Sequence, residues 1–263
     1  MALEHAAAYI SENDITFKKY IELFGKYKTK LLEQGLSKNE ISVATTWQVS
    51  MNKINIEAAR QLLYICSYYA SENINLDTLI LGNECLMEPL SAIVADELEI
   101  NNIIKELRHY SLVSMSNRNL RIHRLLQESV RYNIGPVTEY LECCFNHINK
   151  LMQDSNYKTK EGRDTARLLL PHALAVLNCI ECSGVQQDES HNLCFKIAYG
   201  LSEFALYTES IKFYQKALAI IEKTLGTEHP FTATTYNNIA GCVFSPRRLP
   251  QGIGVVPEGF GNP

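Results

Sequence analysis

At 263 residues, with 46% hydrophobic and 21% charged side chains, the chain has an ordinary globular composition and enough length for two or three small cores. A formal net charge of −4 speaks against a dedicated polyanion binder, and no run of about eighteen apolar residues is present to cross a bilayer. The opening MALEHAAAYISEND holds Glu4 and no leading Lys or Arg, unlike a secretory signal, so a cytoplasmic location is expected.

In chain order, Ala6 to Gln34 has helical spacing through Ile10, Phe17, Tyr20 and Phe24, interrupted at Ser11 to Asp14 and closed by Gly35. Ile56 to Ala70 is a strong helix, because Ala59, Leu62, Leu63, Cys66 and Tyr69 recur at three and four. Ile100 to His109 is another. Leu112 to Ser116 and Leu120 to His123 read as two short strands around a turn at Asn117 to Asn119. Arg124 to Tyr132 returns to helix, and Gly135-Pro136 is the best linker. This outline of helices, hairpin and helix over 45–134 is that of a winged helix. Residues 137–242 are helical, with breaks expected near Asp154 to Tyr157, at Pro171 and around Gly184. Glu189 to Ala205 and Glu209 to Lys223 form an antiparallel pair, and Thr232 to Val243 begins the next.

The eight cysteines do not spell a metal site. Cys179-x-x-Cys182 has no second pair at ligand spacing, and Cys143 and Cys144 are adjacent on one expected helix. They read as small apolar groups in a reducing compartment. No serine, histidine and acid constellation or paired carboxylate stands out, so no enzyme activity is expected.

Glu209 to Glu222, then Leu225-Gly-Thr-Glu-His-Pro230 and Thr232 to Ala240, resemble a tetratricopeptide (TPR) repeat of the kinesin-light-chain type. Ala198, Tyr214 and Ala217 fit its small–aromatic–small pattern, while Ser210 stands in a slot usually held by Ala. That repeat type recurs about every 42 residues, which projects the Ala217-Leu218 pair onto positions 259 and 260, where Gly259 and Phe260 stand. From Ser245 the chain reads SPRRLPQGIGVVPEGFGNP, with eight of nineteen positions Gly or Pro, and cannot propagate a helix. Removing one extra base at Ser245-Pro246 lets the stretch to Gly261 read QGDYPKALEWYRKALE, which puts Ala-Leu at the projected place. Residues 245–263 are therefore expected to be a frameshifted, disordered tail.

Three further segments, in order, resemble the NB-ARC or STAND ATPases, which include NLR-like proteins. They are Met1 to Ile10, Ala44-Thr-Thr-Trp-Gln-Val-Ser50, and Leu107-Arg-His-Tyr-Ser-Leu-Val113 with Ile122-His-Arg-Leu-Leu-Gln127. The resemblance implies a mainly α fold in four parts. These are a helical ARC remnant at 1–44, a winged helix with one short β-hairpin at 45–134, α-solenoid TPR helix pairs at 137–244, and the tail at 245–263. It also implies a regulatory, protein-binding role in an ADP-binding switch, with His123 touching nucleotide phosphates in the intact family. No G-x-x-x-x-G-K-[ST] occurs in these residues, so no ADP or ATP site is expected in this chain, and the nucleotide-binding domain is expected to precede it. The alternatives are a free-standing TPR adaptor of kinesin-light-chain type and a winged-helix DNA-binding regulator.

A protein or peptide ligand is expected on the TPR helices, with Tyr236, Asn237 and Asn238 as contact residues, since an amide there can pair with a peptide backbone. No membrane or metal partner is expected. Lys105, Arg108, Arg118, Arg121, Arg124 and Arg131 outnumber Glu106 and Glu128 over 103–132, but a short wing and the negative total disfavour nucleic acid. His229-Pro230 reads as a helix start.

Overall fold

The computed structural model describes residues 7, 10–11, 14–23, 47, 49–135, 138–184 and 189–245. Expectations for Gly35, Ala44, Thr45, Thr46, Pro136 and the tail beyond Ser245 lie outside them. The chain divides into two compact units, 1–147 and 148–263.

In the first unit residues 17–23 are helical, and Trp47 and Val49 are buried in a further helical turn. Helix α1 (Glu57–Tyr68) buries Ala58, Ala59, Leu62, Leu63, Ile65 and Cys66, the wide apolar stripe that its spacing predicts. Strand β1 (Ile74–Asn75) runs directly into α2 (Leu76–Leu81), because the Asn75 side chain accepts the backbone N–H groups of Asp77 and Thr78 as an N-cap. Helix α3 (Leu90–Val94) follows. Helix α4 (Glu97–His109) is capped by Asp96, which accepts from Leu98 and Glu99, and it carries Arg108 and His109 where the helix dipole favours cations.

Strands β2 (Val113–Ser116) and β3 (Asn119–Ile122) form the expected hairpin. Its turn is only Asn117 and Arg118, with φ of 48° and 60°, and a left-handed pair of this kind matches the natural twist of the strands. The structure adds a strand to the single hairpin read from sequence. β1 pairs with β3, Ile74 opposite Leu120, giving a three-stranded antiparallel sheet of order β1-β3-β2. Two residues are too few to show period-two alternation, so β1 left no sequence signal. Helix α5 (Arg124–Ile134) closes at Gly135, whose φ of 72° a side chain would resist.

The second unit is helical. Helix α6 (Thr138–Asp154) spans the division between units, and α7 (Lys160–Ser183) ends at Gly184 in the left-handed conformation. The break expected at Pro171 is absent, for α7 runs through it. Proline in a helix interior costs about 3 kcal/mol. Leu169, Leu170, Ala173, Val176 and Leu177 are buried on either side, and that apolar face offsets the lost bond.

Helices α8 (Ser190–Glu203) and α9 (Tyr207–Thr224) pack through Ala198, Tyr214 and Ala217, each at most 1% exposed. Helix α10 (Pro230–Phe244) starts with Pro230 in its first turn and lies against α9. Ser210 explains its own departure from the repeat pattern. Its buried hydroxyl donates to the Ala198 carbonyl at 2.7 Å and lies 3.5 Å from Cys242 Sγ, so one side chain touches all three helices.

Candidate functional site

The histidine singled out by sequence sits at the start of α5. His123 is extended (φ −71°, ψ 136°), and its Nδ1 accepts the Leu125 N–H at 3.3 Å as an N-cap. An accepting Nδ1 carries no proton, so the ring proton lies on Nε2. The ring is exposed and tilts against buried Trp47, with centroids 5.6 Å apart. One imidazole thus caps a helix and offers a single N–H donor outward.

Four residues on, the same motif does something the sequence did not announce. Gln127 is buried, and its Nε2 donates to the carbonyls of Cys66 and Tyr69, both at 2.8 Å. Arg131 donates to the Ser67 carbonyl. The last carbonyls of any helix lack partners within it. α5 therefore supplies those of α1, and the guanidinium suits the negative end of that dipole.

The cationic stretch over 103–132 is partly neutralised. Arg118 pairs with Asp77 at 2.9 Å and Glu97 at 3.4 Å, and Arg121 pairs with Glu72 at 3.4 Å. Arg118 thereby ties the hairpin turn back to the first turns of α2 and α4.

Beyond α5, Tyr69 donates its hydroxyl to His147 Nδ1 at 2.6 Å, and His147 Nε2 lies 3.2 Å from the Thr78 carbonyl. Burial raises the Tyr69 phenol well above its ordinary value. The relay joins α1, α6 and α2, and is structural. Cys66 is held at about 12 and Cys143 at about 11 by burial, which keeps both as inert thiols. Among the described residues no group of three or more His, Cys, Asp or Glu side chains is placed to hold a metal.

In the repeats the three predicted contact residues part company. Tyr236 is exposed, and its hydroxyl donates to Glu222 Oε1 on α9 at 2.8 Å. Asn237 is exposed and Asn238 half-buried on α10. Seven residues separate Asn238 from Phe231, two helical turns, so these two share one face, while Asn237 and Tyr236 fall on others.

Phe231 belongs to a groove of about 380 Å3 that sequence reasoning missed. One wall is Asn149, Met152 and Gln153 of α6, and another is Phe195, Lys196 and Tyr199 of α8. Lys196 Nζ donates to the carbonyl and Oδ1 of Asn149, both at 2.7 Å, and to Gln153 Oε1 at 3.4 Å. Phe195 and Phe231 rings lie 4.7 Å apart. Tyr157 also lines the groove, packed edge-on against Tyr199 at 5.2 Å, and Gly200 makes room for it. Its hydroxyl is buried without a hydrogen-bond partner among the described residues, and burial raises the phenol to about 12.

A family model described as a tetratricopeptide repeat matches residues 196–249, and one described as a domain of unknown function (DUF7779) matches residues 49–138. Over 254 residues the chain is 27% identical to a nucleotide-binding leucine-rich repeat (NLR)-like protein of Hyaloscypha variabilis. The alignment covers 90% of the chain but 24% of that protein, so the chain spans about a quarter of its relative's length. No solved structure gives a significant match. Among the described residues no helix is long and apolar enough to cross a membrane. The chain thus carries a tetratricopeptide repeat and resembles an NLR-like protein over 90% of its length.

Proposed function

We propose that the chain is the regulatory, partner-binding portion of an NLR-like switch and performs no catalysis itself. Residues 45–134 act as its winged helix and 137–244 as the start of a repeat array that receives a protein ligand. The observation that carries this reading is one continuous similarity to an NLR-like protein through both units, with the repeat match at its end. The neutralised cations Arg118 and Arg121 argue against the winged helix acting on DNA, which needs such charges for phosphate.

In the intact switch ADP or ATP is held by a nucleotide-binding domain, and binding of a partner to the repeats shifts the closed–open equilibrium. The residues here fit one contact to that group and not a cradle for it. His123 presents Nε2–H at a helix start, where an anion is favoured. Its own part is to orient that donor through the Nδ1 cap while Gln127 and Arg131 fix α5 against α1.

A chimera tests this: the matching segment of the Hyaloscypha protein is replaced by this chain, and ADP affinity is measured with and without His123→Ala. A hydrogen bond to a charged group is worth about 1.5–3 kcal/mol, so the variant is expected to hold ADP at least about tenfold more weakly. Unchanged affinity removes His123 from the nucleotide site.

A further inference from the structure

The cysteines of the first unit are not equivalent. Cys66, Cys143 and Cys144 are buried, whereas Cys85 is partly exposed at the end of a single 3-10 turn, Asn83–Cys85, between α2 and α3. Cys144 faces α1, with its thiol 3.7 Å from the Ile65 carbonyl. Cys143, one position earlier on α6, packs on the turn instead. Its Sγ donates to the Cys85 carbonyl at 3.0 Å and meets the Met87 N–H.

Standard bond lengths then keep the Cα atoms of Cys85 and Cys143 within about 8 Å of each other. A disulfide needs about 4.4–6.8 Å. The turn is held by two backbone bonds of its own, Cys85 N to Gly82 O and Leu86 N to Asn83 O, so it can shift that far without unwinding a helix. Exposure is divided between the two sulfurs. Burial, with the nearby Cys85 thiol adding to it, holds Cys143 at about 11, a protonated thiol that reagents in solvent do not reach. Cys85 is the member of the pair that meets solvent.

We propose that Cys85 and Cys143 are a redox pair that a hydroperoxide closes into a disulfide. The Cys85 thiolate attacks one peroxide oxygen, the O–O bond breaks, and the leaving oxygen takes the thiol's proton to depart as water, or as an alcohol from an organic peroxide. Cys85 is now a sulfenic acid. Cys143 Sγ attacks the Cys85 sulfur, an S–S bond replaces the S–O bond, and the hydroxide leaves as water with the Cys143 proton. Two thiols lose two electrons in all, and the peroxide gains them. The link spans 58 positions of sequence and fastens α6 to the turn before α3, and closing so long a loop restricts the unfolded chain. It acts within the first unit and stands apart from the partner-binding reading of the repeats.

The test treats the reduced full chain with a few equivalents of hydrogen peroxide, blocks remaining thiols with iodoacetamide, and maps peptides by mass spectrometry without reductant. A Cys85–Cys143 link is expected, reversed by dithiothreitol, with a melting temperature several degrees above that of the reduced chain. Cys85→Ser, at a partly exposed position, is expected to remove both the link and the shift. Dimedone traps sulfenic acid, and it is expected to label Cys85 at least about threefold more in Cys143→Ser, where the resolving thiol is gone.

Cys85 left unreacted, or carried to the sulfinic acid with no link, overturns the proposal. So does linkage confined to other pairs, such as Cys179 with Cys182 on α7, or equal dimedone labelling of the parent and Cys143→Ser. If Cys143→Ser fails to fold, the maps of the parent and of Cys85→Ser decide the matter.

Discussion

Gln127→Ala is expected to destabilise the first unit by about 3 kcal/mol, because two carbonyls at the end of α1 lose a buried side-chain donor. The carboxamide Nε2 donates to Cys66 and Tyr69 at 2.8 Å each, and the side chain is 5% exposed. Each buried acceptor left unsatisfied costs about 1–3 kcal/mol, more than the net gain from the bond it loses. Gln127→Glu is expected to do no better, since a carboxylate brings no donor and adds charge beside the negative end of α1. Chemical denaturation of the full chain measures this, following Trp47, the chain's single tryptophan, which is buried in this unit. A loss below about 1 kcal/mol would mean that water or Arg131 can serve those carbonyls, and that Gln127 is not what joins α5 to α1.

The second large effect is expected in the other unit. Gly162 lies in the first turn of α7, where a Cβ would fall 1.9 Å from the Asn156 carbonyl oxygen and 2.9 Å from the Asn156 nitrogen. Backbone atoms cannot rotate aside as a side chain does. That carbonyl also accepts from Thr159 N and Thr159 Oγ1, both at 3.1 Å, and Thr159 Oγ1 accepts from Gly162 N at 3.0 Å. Gly162→Ala therefore pushes the whole capping turn off α7. Overpacking of this kind costs about 3 kcal/mol. Thermal unfolding of the full chain measures this, and a lowered melting temperature is expected. An unchanged melting temperature would mean that the capping turn at Asn156 to Thr159 yields to a methyl group at no cost.

Much of the fold was legible because its long helices carry their apolar residues at three and four. That pattern set α1, α4, α8 and α9 within a few residues. The turn at Asn117 was legible from its residue type, since Asn tolerates left-handed backbone. Helices α2 and α3 were not, being six and five residues long with no room for periodicity. Pro171 misled because a local rule about hydrogen bonding was outweighed by packing on both sides of it.

The candidate sites were legible unevenly. His123 stood out by its motif, yet its capping geometry and the clamp made by Gln127 depend on where α5 lies against α1. Ser210 looked like a blemish in the repeat until the Ala198 carbonyl was seen beneath it. The groove was illegible, since it arises only when Asn149 and Gln153 meet a face of α8 more than a full helix further along the chain. Tyr236 stood out with Asn237 and Asn238 by its place on the first helix of a repeat, while the bond from its hydroxyl to Glu222 depends on how α10 lies against α9.

Hydrogen exchange on the full chain, with and without a peptide selected by it from a random library of capped peptides, tests most directly that the repeats receive a partner. Slowed exchange is expected along Asn192 to Tyr199 of α8 and at the start of α10, with α4 and α5 unchanged. Protection confined to α4, α5 or the hairpin, with none in α8, would contradict the account and move recognition to the other unit.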